Sequence, residues 1–233
     1  MKLEEFIGKH GLIISEEINR ACADGLALMR ASQEPAHSER HIEDIISLLD
    51  EFLGQAKEID AGRINYEILL PAICWHDIWK SSRPLATNFI KFRFEQYWDG
   101  IGSARLFKKY CRKNNLPRAL AKNIRFAILH HNDLFFSLKK TGECQDHIEA
   151  RLLDDLDSLD FWSLKRLEYA ASAYVDENYK FYNPRLVPLF NWALDKFTQK
   201  IVTFSFDWSE REFSRRKEEV LDKCEAIMKL NRQ

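Results

Sequence analysis

The sequence predicts an all-α protein, and three observations support this prediction. Prolines fall where helices would begin, and strand-like alternation is confined to one short run at residues 201–206. Apolar residues recur at helical spacing along most of the chain. The segment 41–53 is typical, with apolar side chains at Ile42, Ile45, Ile46, Leu49, Phe52 and Leu53. We therefore predict a compact multi-helix bundle with an additional helical C-terminal region.

The predicted helices follow one another along the chain with short connections. The first begins near Pro35 and Ser38 and continues to residue 53. The second runs from about Tyr66 to Trp79 and ends before Pro84, which disfavours helical backbone at the residue before it. Further helices are predicted at residues 103–113, 117–131, 145–160, 161–179, 184–200 and 208–230, with Pro117 and Pro184 in first turns.

Length and composition favour a single folded domain, residues 1–233. The chain is 45% hydrophobic and contains 16 Phe and 6 Trp, which excludes a disordered protein. Its 35 basic and 36 acidic residues leave a formal net charge of -1, so we expect neither nucleic acid nor an acidic membrane as a partner. No segment reaches the roughly 20 apolar residues of a membrane span, and the first apolar run is too short for a signal peptide. The five cysteines lack CxxC spacing, which favours reduced thiols and a cytoplasmic location.

Histidines and aspartates recur inside the apolar helical segments, where a titratable side chain is costly unless something binds it. His41 shares the inward face of its predicted helix with Ile45 and Leu49. The neighbours His76 and Asp77 border the apolar stripe of the next helix. A metal ion is the simplest single ligand for such residues. The alternatives are a hydrogen-bonded histidine at a helix start and a helix-end ion pair for the aspartate.

Two later segments add candidates. His131 lies on the apolar face of its predicted helix and His130 is rotated from it by about 100°, so one of the two is expected to point inward. Four acids follow at residues 154–160, and most of them are expected on a solvated face. Asp157, four residues after Leu153, is the acid expected to point inward. His37 precedes His41 by four residues, which is also the spacing of a metal clamp.

Imidazole nitrogens and carboxylate oxygens, without cysteine, suit a borderline or hard divalent ion. Manganese, iron, cobalt, nickel, zinc and magnesium all remain open. A site of two histidines and two carboxylates leaves coordination positions for water or substrate, and a bound water is acidified enough to act as a nucleophile near neutral pH. Hydrolysis is therefore the expected chemistry.

The order of a histidine, a His-Asp pair and a distant aspartate on a helical chain resembles the HD-domain superfamily of metal-dependent phosphohydrolases. The resemblance covers about residues 35–165, with residues 166–233 as a helical extension packed on that core. It rests on four segments, which are similar to the first-histidine helix, the apolar run into HDxxK, the helix of auxiliary histidines and the final DADxLD element of the family. They are HSERHIEDI (37–45), LPAICWHDIWK (70–80), AILHH (127–131) and LDDLDSLD (153–160).

The resemblance implies a metal site made by His41, His76, Asp77 and Asp157. Asp155 is the rival for the last position, but the family's ligand is generally the acid two residues before the leucine, which here is Asp157.

The resemblance also implies catalytic roles for four residues. Asp77 would orient the attacking water beside the metal. Lys80 would contact a substrate phosphate and stabilise developing charge. His130 or His131 would contact the substrate or protonate the leaving oxygen.

The chain departs from the family's two-metal members, which usually carry another histidine between the His-Asp pair and the later histidines. No histidine lies between His76 and His130, and Asp99 stands near the expected place. We therefore expect one metal, with Asp99 as a polar substitute. Asn132-Asp133-Leu134 replaces the GYP element of the cyclic-dinucleotide phosphodiesterases, which disfavours that branch.

The expected function is a phosphatase or phosphodiesterase whose substrate is a nucleotide or another small phosphate ester. Two alternatives remain open: an iron oxygenase with a two-iron centre, and a non-catalytic helical scaffold that binds a nucleotide or a protein. Aromatic residues between positions 179 and 208 are a possible partner surface for the scaffold, although ordinary core packing is the simpler reading. The sequence leaves the oligomeric state open.

Overall fold

Helices build the described structure, a computed structural model that covers residues 1–32, 37–57, 61–83, 89–131, 147–168 and 204–230. No strand occurs within these ranges, and the predicted all-α class is confirmed. A 3₁₀ turn lies at Ala61–Arg63 and a helical turn at residues 164–168. The helices are α1 (Leu3–Lys9), α2 (Glu16–Arg30), α3 (Glu39–Gln55), α4 (Tyr66–Trp75), α5 (Ile78–Ser81), α6 (Phe89–Lys113), α7 (Arg118–Leu129), α8 (Ile148–Phe161) and α9 (Asp207–Leu230).

Helix α4 forms the centre of the bundle. Every side chain at residues 68–75 is buried, as expected for a helix that is apolar on all sides. It packs against α2, α3, α6, α7 and α8. The Asn65 side chain accepts a hydrogen bond from the backbone N–H of Glu67 and caps the start of the helix. The residues that directly follow α4 are therefore placed deep in the protein.

The predicted helix from Tyr66 to Trp79 is interrupted at His76 and Asp77, two of the candidate ligands. Helix α4 ends at Trp75, His76 and Asp77 form a turn, and α5 then begins at Ile78. Ser103 of α6 explains how the break is stabilised, because its Oγ accepts the backbone N–H of Trp79 at 3.0 Å. An uninterrupted helix would bond that N–H to its own preceding turn. The break sets the direction of the His-Asp pair.

Other helix limits also differ from the predicted ones. Helix α6 begins at Phe89 rather than residue 103, because the apolar residues at its start alternate and obscure the helical spacing. Helices α1 and α2 were not predicted, although α2 buries a stripe with helical spacing that includes Ile18, Cys22 and Met29. The predicted helix at 184–200 and most of that at 161–179 lie outside the described residues.

Aromatic residues before and in α9 pack against the N-terminal helices. The rings of Phe206 and Trp208 are buried and meet Phe52 of α3 edge-on, with centroid separations of 5.5 and 5.4 Å. Trp208 Nε1 donates to Gln55 Oε1 at 3.2 Å. These two residues are core and offer no partner surface. The aromatic residues at 179–192 lie outside the described ranges.

Two further features concern the described residues as a whole. None of their helices combines the length and the apolar character that crossing a bilayer requires. Four cysteines, Cys22, Cys74, Cys111 and Cys224, are buried free thiols, and Cys144 lies outside the described ranges.

The contact between α2 and α4 predicts the effect of a single methyl group. A Cβ added at Gly25 would lie 2.8 Å from the Cys74 carbonyl oxygen and 2.7 Å from Trp75 Nε1. Although alanine favours helix, we expect Gly25→Ala to lower the free energy of unfolding by about 1–3 kcal/mol because backbone would have to move. Gly54→Ala in α3 meets nothing within 4 Å and should be neutral or stabilising. Urea denaturation compares the two variants, and equal stability of both would contradict the described packing.

Candidate metal centre

Four side chains from separate parts of the fold converge in the interior. His41 belongs to α3, His76 and Asp77 to the turn after α4, and Asp157 to α8, and all four are buried. The Nε2 atoms of the two histidines are 2.9 Å apart. Asp77 Oδ2 lies 3.3 Å from each Nε2, and Asp157 Oδ1 lies 3.2 Å from that of His41 and 3.7 Å from that of His76. The structure thus brings together the four residues proposed as ligands.

Hydrogen bonds on the far side of each imidazole determine which nitrogen faces the cluster. His41 Nδ1 donates to Asp160 Oδ2 at 2.7 Å, and His76 Nδ1 donates to the Ile73 carbonyl oxygen at 2.7 Å. Because those partners can only accept, the proton of each neutral ring lies on Nδ1 and the lone pair on Nε2. Two nitrogen lone pairs and two carboxylate oxygens therefore face one another. Such an arrangement requires a positive charge among the four atoms, which a metal ion or an extra proton on one Nε2 can supply.

The spacing of the four atoms fits a single metal ion. Nitrogen and oxygen ligands at about 2.0–2.2 Å from one ion lie about 2.8–3.6 Å from each other across octahedral and tetrahedral geometries. The separations given above run from 2.9 to 3.7 Å. The donor set lacks sulfur and so suits the borderline and hard divalent ions. The residue types and the separations of their atoms therefore fit a divalent cation.

The pKa of His41 shows how strongly the cluster attracts positive charge. Burial lowers this pKa, and the charge of Arg166 lowers it further. Hydrogen bonds to Asp157, Asp160 and Asp77 outweigh both effects and raise it to about 10. A proton and a metal ion would compete for the same Nε2 lone pair.

The other members of the cluster behave in the same way. Burial lowers the pKa of His76, but the charge and hydrogen bonds of Asp77 and Asp157 raise it to about 9. Burial raises the pKa of Asp77, and the positive charges of Lys80 and His76 hold it well below its usual range. Hydrogen bonds from His41 and His76 do the same for Asp157 against the opposing effect of burial. The carboxylates therefore remain ionised and available as ligands.

Asp160 belongs to the candidate centre, and sequence analysis did not identify it. Its Oδ2 accepts from His41 Nδ1 at 2.7 Å and from Arg166 Nη1 at 2.8 Å, and the carboxylate is buried. This is the usual arrangement behind a metal-ligating histidine, in which a carboxylate orients the ring and raises its basicity. The signal was its position three residues after Asp157, on the same helix face.

The acidic run at residues 154–160 is buried, so the expected solvated face for most of these acids is wrong. The physical reason is that their charges have partners inside the protein. Asp155 accepts the backbone N–H groups of Ser205 and Phe206 at 2.9 and 3.1 Å and ties the segment before α9 to α8. This carboxylate, the rival ligand, is thereby directed away from the four-atom cluster, whereas Asp157 faces it.

A second cluster adjoins the first and shares Asp77. Its other members are Asp99 of α6 and His131, which directly follows α7. His131 Nε2 lies 3.5 Å from both Asp77 Oδ1 and Asp99 Oδ2, while its Nδ1 donates to the Ile128 carbonyl oxygen at 2.5 Å. Burial lowers the pKa of His131, but the two carboxylates raise it to about 9. Asp99, expected as a polar substitute, thus stands beside His131 and Asp77.

Lys80 occupies the space between the two carboxylates of this second cluster. Its Nζ is 2.8 Å from Asp99 Oδ2 and 3.6 Å from Asp77 Oδ1, and it contacts His37 Nε2 at 3.2 Å. Burial lowers the pKa of Lys80, but Asp99 and Asp77 raise it above its ordinary value. The helix-end ion pair that was the alternative interpretation of Asp77 is present, with Lys80 as the partner, although Asp99 lies closer to the lysine.

The remaining candidate histidines, His37 and His130, belong to neither of the two clusters. His130 is half-buried and packs on the ring of Phe126, with a centroid separation of 4.3 Å. Of the pair 130–131, the structure brings only His131 to the cluster. His37 Nε2 lies 3.6 Å from Asp77 Oδ2 and accepts from Lys80, so it borders the centre instead of completing a clamp with His41.

Comparison of the chain with protein-family models, with curated proteins and with solved structures finds no match.

The support of His41 by Asp160 predicts a loss of metal affinity. Asp160→Asn keeps the shape of the side chain but removes the negative charge behind the ring, so His41 Nε2 becomes a weaker metal ligand. We expect Mn²⁺ affinity to fall by about tenfold to a hundredfold, measured by isothermal titration calorimetry. Asp50→Asn is the matched control. Asp50 lies on α3, the helix that carries His41, and pairs with Lys9 at 2.7 Å outside the cluster. An unchanged affinity in Asp160→Asn would contradict the proposed positioning role.

Proposed function

We propose that this protein is a metal-dependent phosphohydrolase, a phosphatase or phosphodiesterase for a nucleotide or another small phosphate ester. The observation that carries the proposal is the convergence of His41 Nε2, His76 Nε2, Asp77 Oδ2 and Asp157 Oδ1 in the buried interior. The resemblance of the same residues to the HD-domain superfamily supports it. The buried free thiols fit a reducing, cytoplasmic location.

The four converging residues would hold one divalent ion. Such an ion acidifies a water ligand and polarises a phosphoryl oxygen, which are the two requirements of phosphate ester hydrolysis. The protein contributes two neutral nitrogens and two negative oxygens on fixed elements. Because His41 and His76 are each oriented through Nδ1, little rearrangement is needed to present their lone pairs.

Three neighbouring residues would act on the substrate. Asp77 has one oxygen toward each cluster, so it can bind the ion and orient a water through the other oxygen. The Lys80 ammonium next to it would stabilise the negative charge that develops on the transferred group. His131 can hold a proton at Nε2 and deliver it to the leaving oxygen. His130 is half-buried and lies outside the two clusters, so it remains a candidate only for contact with the substrate.

An iron oxygenase is the second candidate function. The observation that favours it is the adjoining cluster of Asp77, Asp99 and His131, which offers ligands for another ion. Two irons in each chain and a product that requires dioxygen would identify this activity. A single ion and a product released without dioxygen would exclude it.

Removing a ligand should abolish hydrolysis. We expect His76→Ala and Asp77→Ala to lose the bound ion and at least about a thousandfold in turnover, since the ion would supply the activated water. The measurement is metal analysis of each protein together with a screen of nucleotides and phosphomonoesters and phosphodiesters in Mn²⁺, Mg²⁺, Co²⁺, Ni²⁺, Zn²⁺ and Fe²⁺.

Asp50→Ala provides the control for that screen, because Asp50 pairs at the surface with Lys9 and His10. It should retain both metal and turnover. If His76→Ala and Asp77→Ala kept full metal content and full turnover, the proposed function would be wrong. Metal binding without turnover on any phosphate ester would favour the non-catalytic scaffold.

A further inference from the structure

The cluster of Asp77, Asp99 and His131 contains three buried atoms without a hydrogen-bond partner among the described residues. They are Asp77 Oδ1, Asp99 Oδ2 and His131 Nε2. His131 Nε2 lies 3.5 Å from each of the two carboxylate oxygens. Buried polar atoms are nearly always satisfied. Three such atoms directed at one place indicate that a cation belongs there.

Lys80 is the cation that the structure places at this point. Its ammonium has three N–H donors and three neighbours, Asp99 Oδ2 at 2.8 Å, His37 Nε2 at 3.2 Å and Asp77 Oδ1 at 3.6 Å. The lysine side chain is 8% exposed, so little of its charge is screened by solvent. The contact with Asp99 Oδ2 is close enough for a strong ion pair, although it lacks the geometry of a hydrogen bond.

The charges of the buried groups point in the same direction. Asp160 is balanced by Arg166 at 2.8 Å. With His41 and His76 neutral, as ligands of a bound ion must be, Asp77, Asp99 and Asp157 carry three negative charges against one positive charge on Lys80. One divalent ion in the first cluster would balance the remaining two negative charges, even before a proton on His131 is counted. A second divalent ion beside Lys80 would leave excess positive charge in a buried site, which is costly.

We propose that the Lys80 ammonium takes the place of a second metal ion, and that the cluster of Asp77, Asp99 and His131 is a latent divalent-cation site that opens when this ammonium is removed. The proposal rests on the metal centre assigned under the proposed function but not on the reaction. Lysine then makes this a one-metal protein, because it closes the second position with a cation that cannot dissociate from the chain.

The test is the number of Mn²⁺ ions bound by the full chain with and without the ammonium. Wild-type protein and Lys80→Met, each dialysed to equilibrium against Mn²⁺, are compared by metal analysis and by electron paramagnetic resonance. We expect one ion in the wild type and two in Lys80→Met. The two ions would share Asp77 and lie about 3.5–4 Å apart, as in other two-metal sites, so Lys80→Met should also show a spin-coupled manganese signal that the wild type lacks.

Two controls separate the lost charge from other effects of the substitution. Lys80→Arg keeps a cation in place and should still bind one ion. The double variant Lys80→Met, Asp99→Asn loses the second cluster's own carboxylate and should also return to one ion. Should Lys80→Met fail to fold because Asp99 is left unpaired, Lys80→Gln supplies hydrogen-bond donors without charge and serves the same comparison.

Each outcome decides the proposal. Two coupled ions in the Lys80→Met or Lys80→Gln protein and one in the wild type and controls support it. Two ions in the wild type overturn it, since the ammonium would then not exclude the second metal. One ion in every protein also overturns it, while leaving the first metal centre intact. A wild type that binds no Mn²⁺ overturns both this proposal and the metal centre on which it rests.

Discussion

The candidate centre depends on the close approach of two imidazole nitrogens, His41 Nε2 and His76 Nε2, which lie 2.9 Å apart in the buried interior. His41 and His76 cannot relieve this contact by exchanging protons between their ring nitrogens, because Asp160 and the Ile73 carbonyl oxygen each require the proton on Nδ1. Burial removes water as a partner. A positive charge between the two nitrogens, from a metal ion or from an added proton that competes with it, therefore makes this arrangement of side chains favourable. In the proposed state a divalent ion supplies that charge, and the other residues of the site supply ligands and balance it.

The fold meets this requirement by breaking a helix. In a continuous α4 the adjacent His76 and Asp77 side chains would point about 100° apart. The turn at 76–77 instead directs both side chains into the cluster. Ser103 accepts the Trp79 N–H that the break releases, and Asp99 on the same α6 helix holds Lys80. Helix α6 thus both stabilises the break and supplies the charge partner of the lysine, which connects the two clusters through Asp77.

The sequence predicted the helical class and singled out the four side chains that converge, because both leave local signals. Helical spacing of apolar residues identifies most helices, and His41, His76, Asp77 and Asp157 each interrupt such a stripe with a group that burial penalises. The break after Trp75 was not predictable, since it depends on Ser103, a residue far away in the sequence. The buried acids at 154–160 were misjudged for the same reason. Arg166, His41 and the backbone at 205–206 neutralise or satisfy them only in the folded protein.

Anomalous diffraction from crystals of the wild-type protein grown with Mn²⁺ would test the central claim most directly. The account predicts one strong anomalous peak within bonding distance of His41 Nε2, His76 Nε2 and the carboxylates of Asp77 and Asp157. The absence of a peak there, with the two imidazoles still facing each other, would contradict the claim that a metal ion joins these four residues.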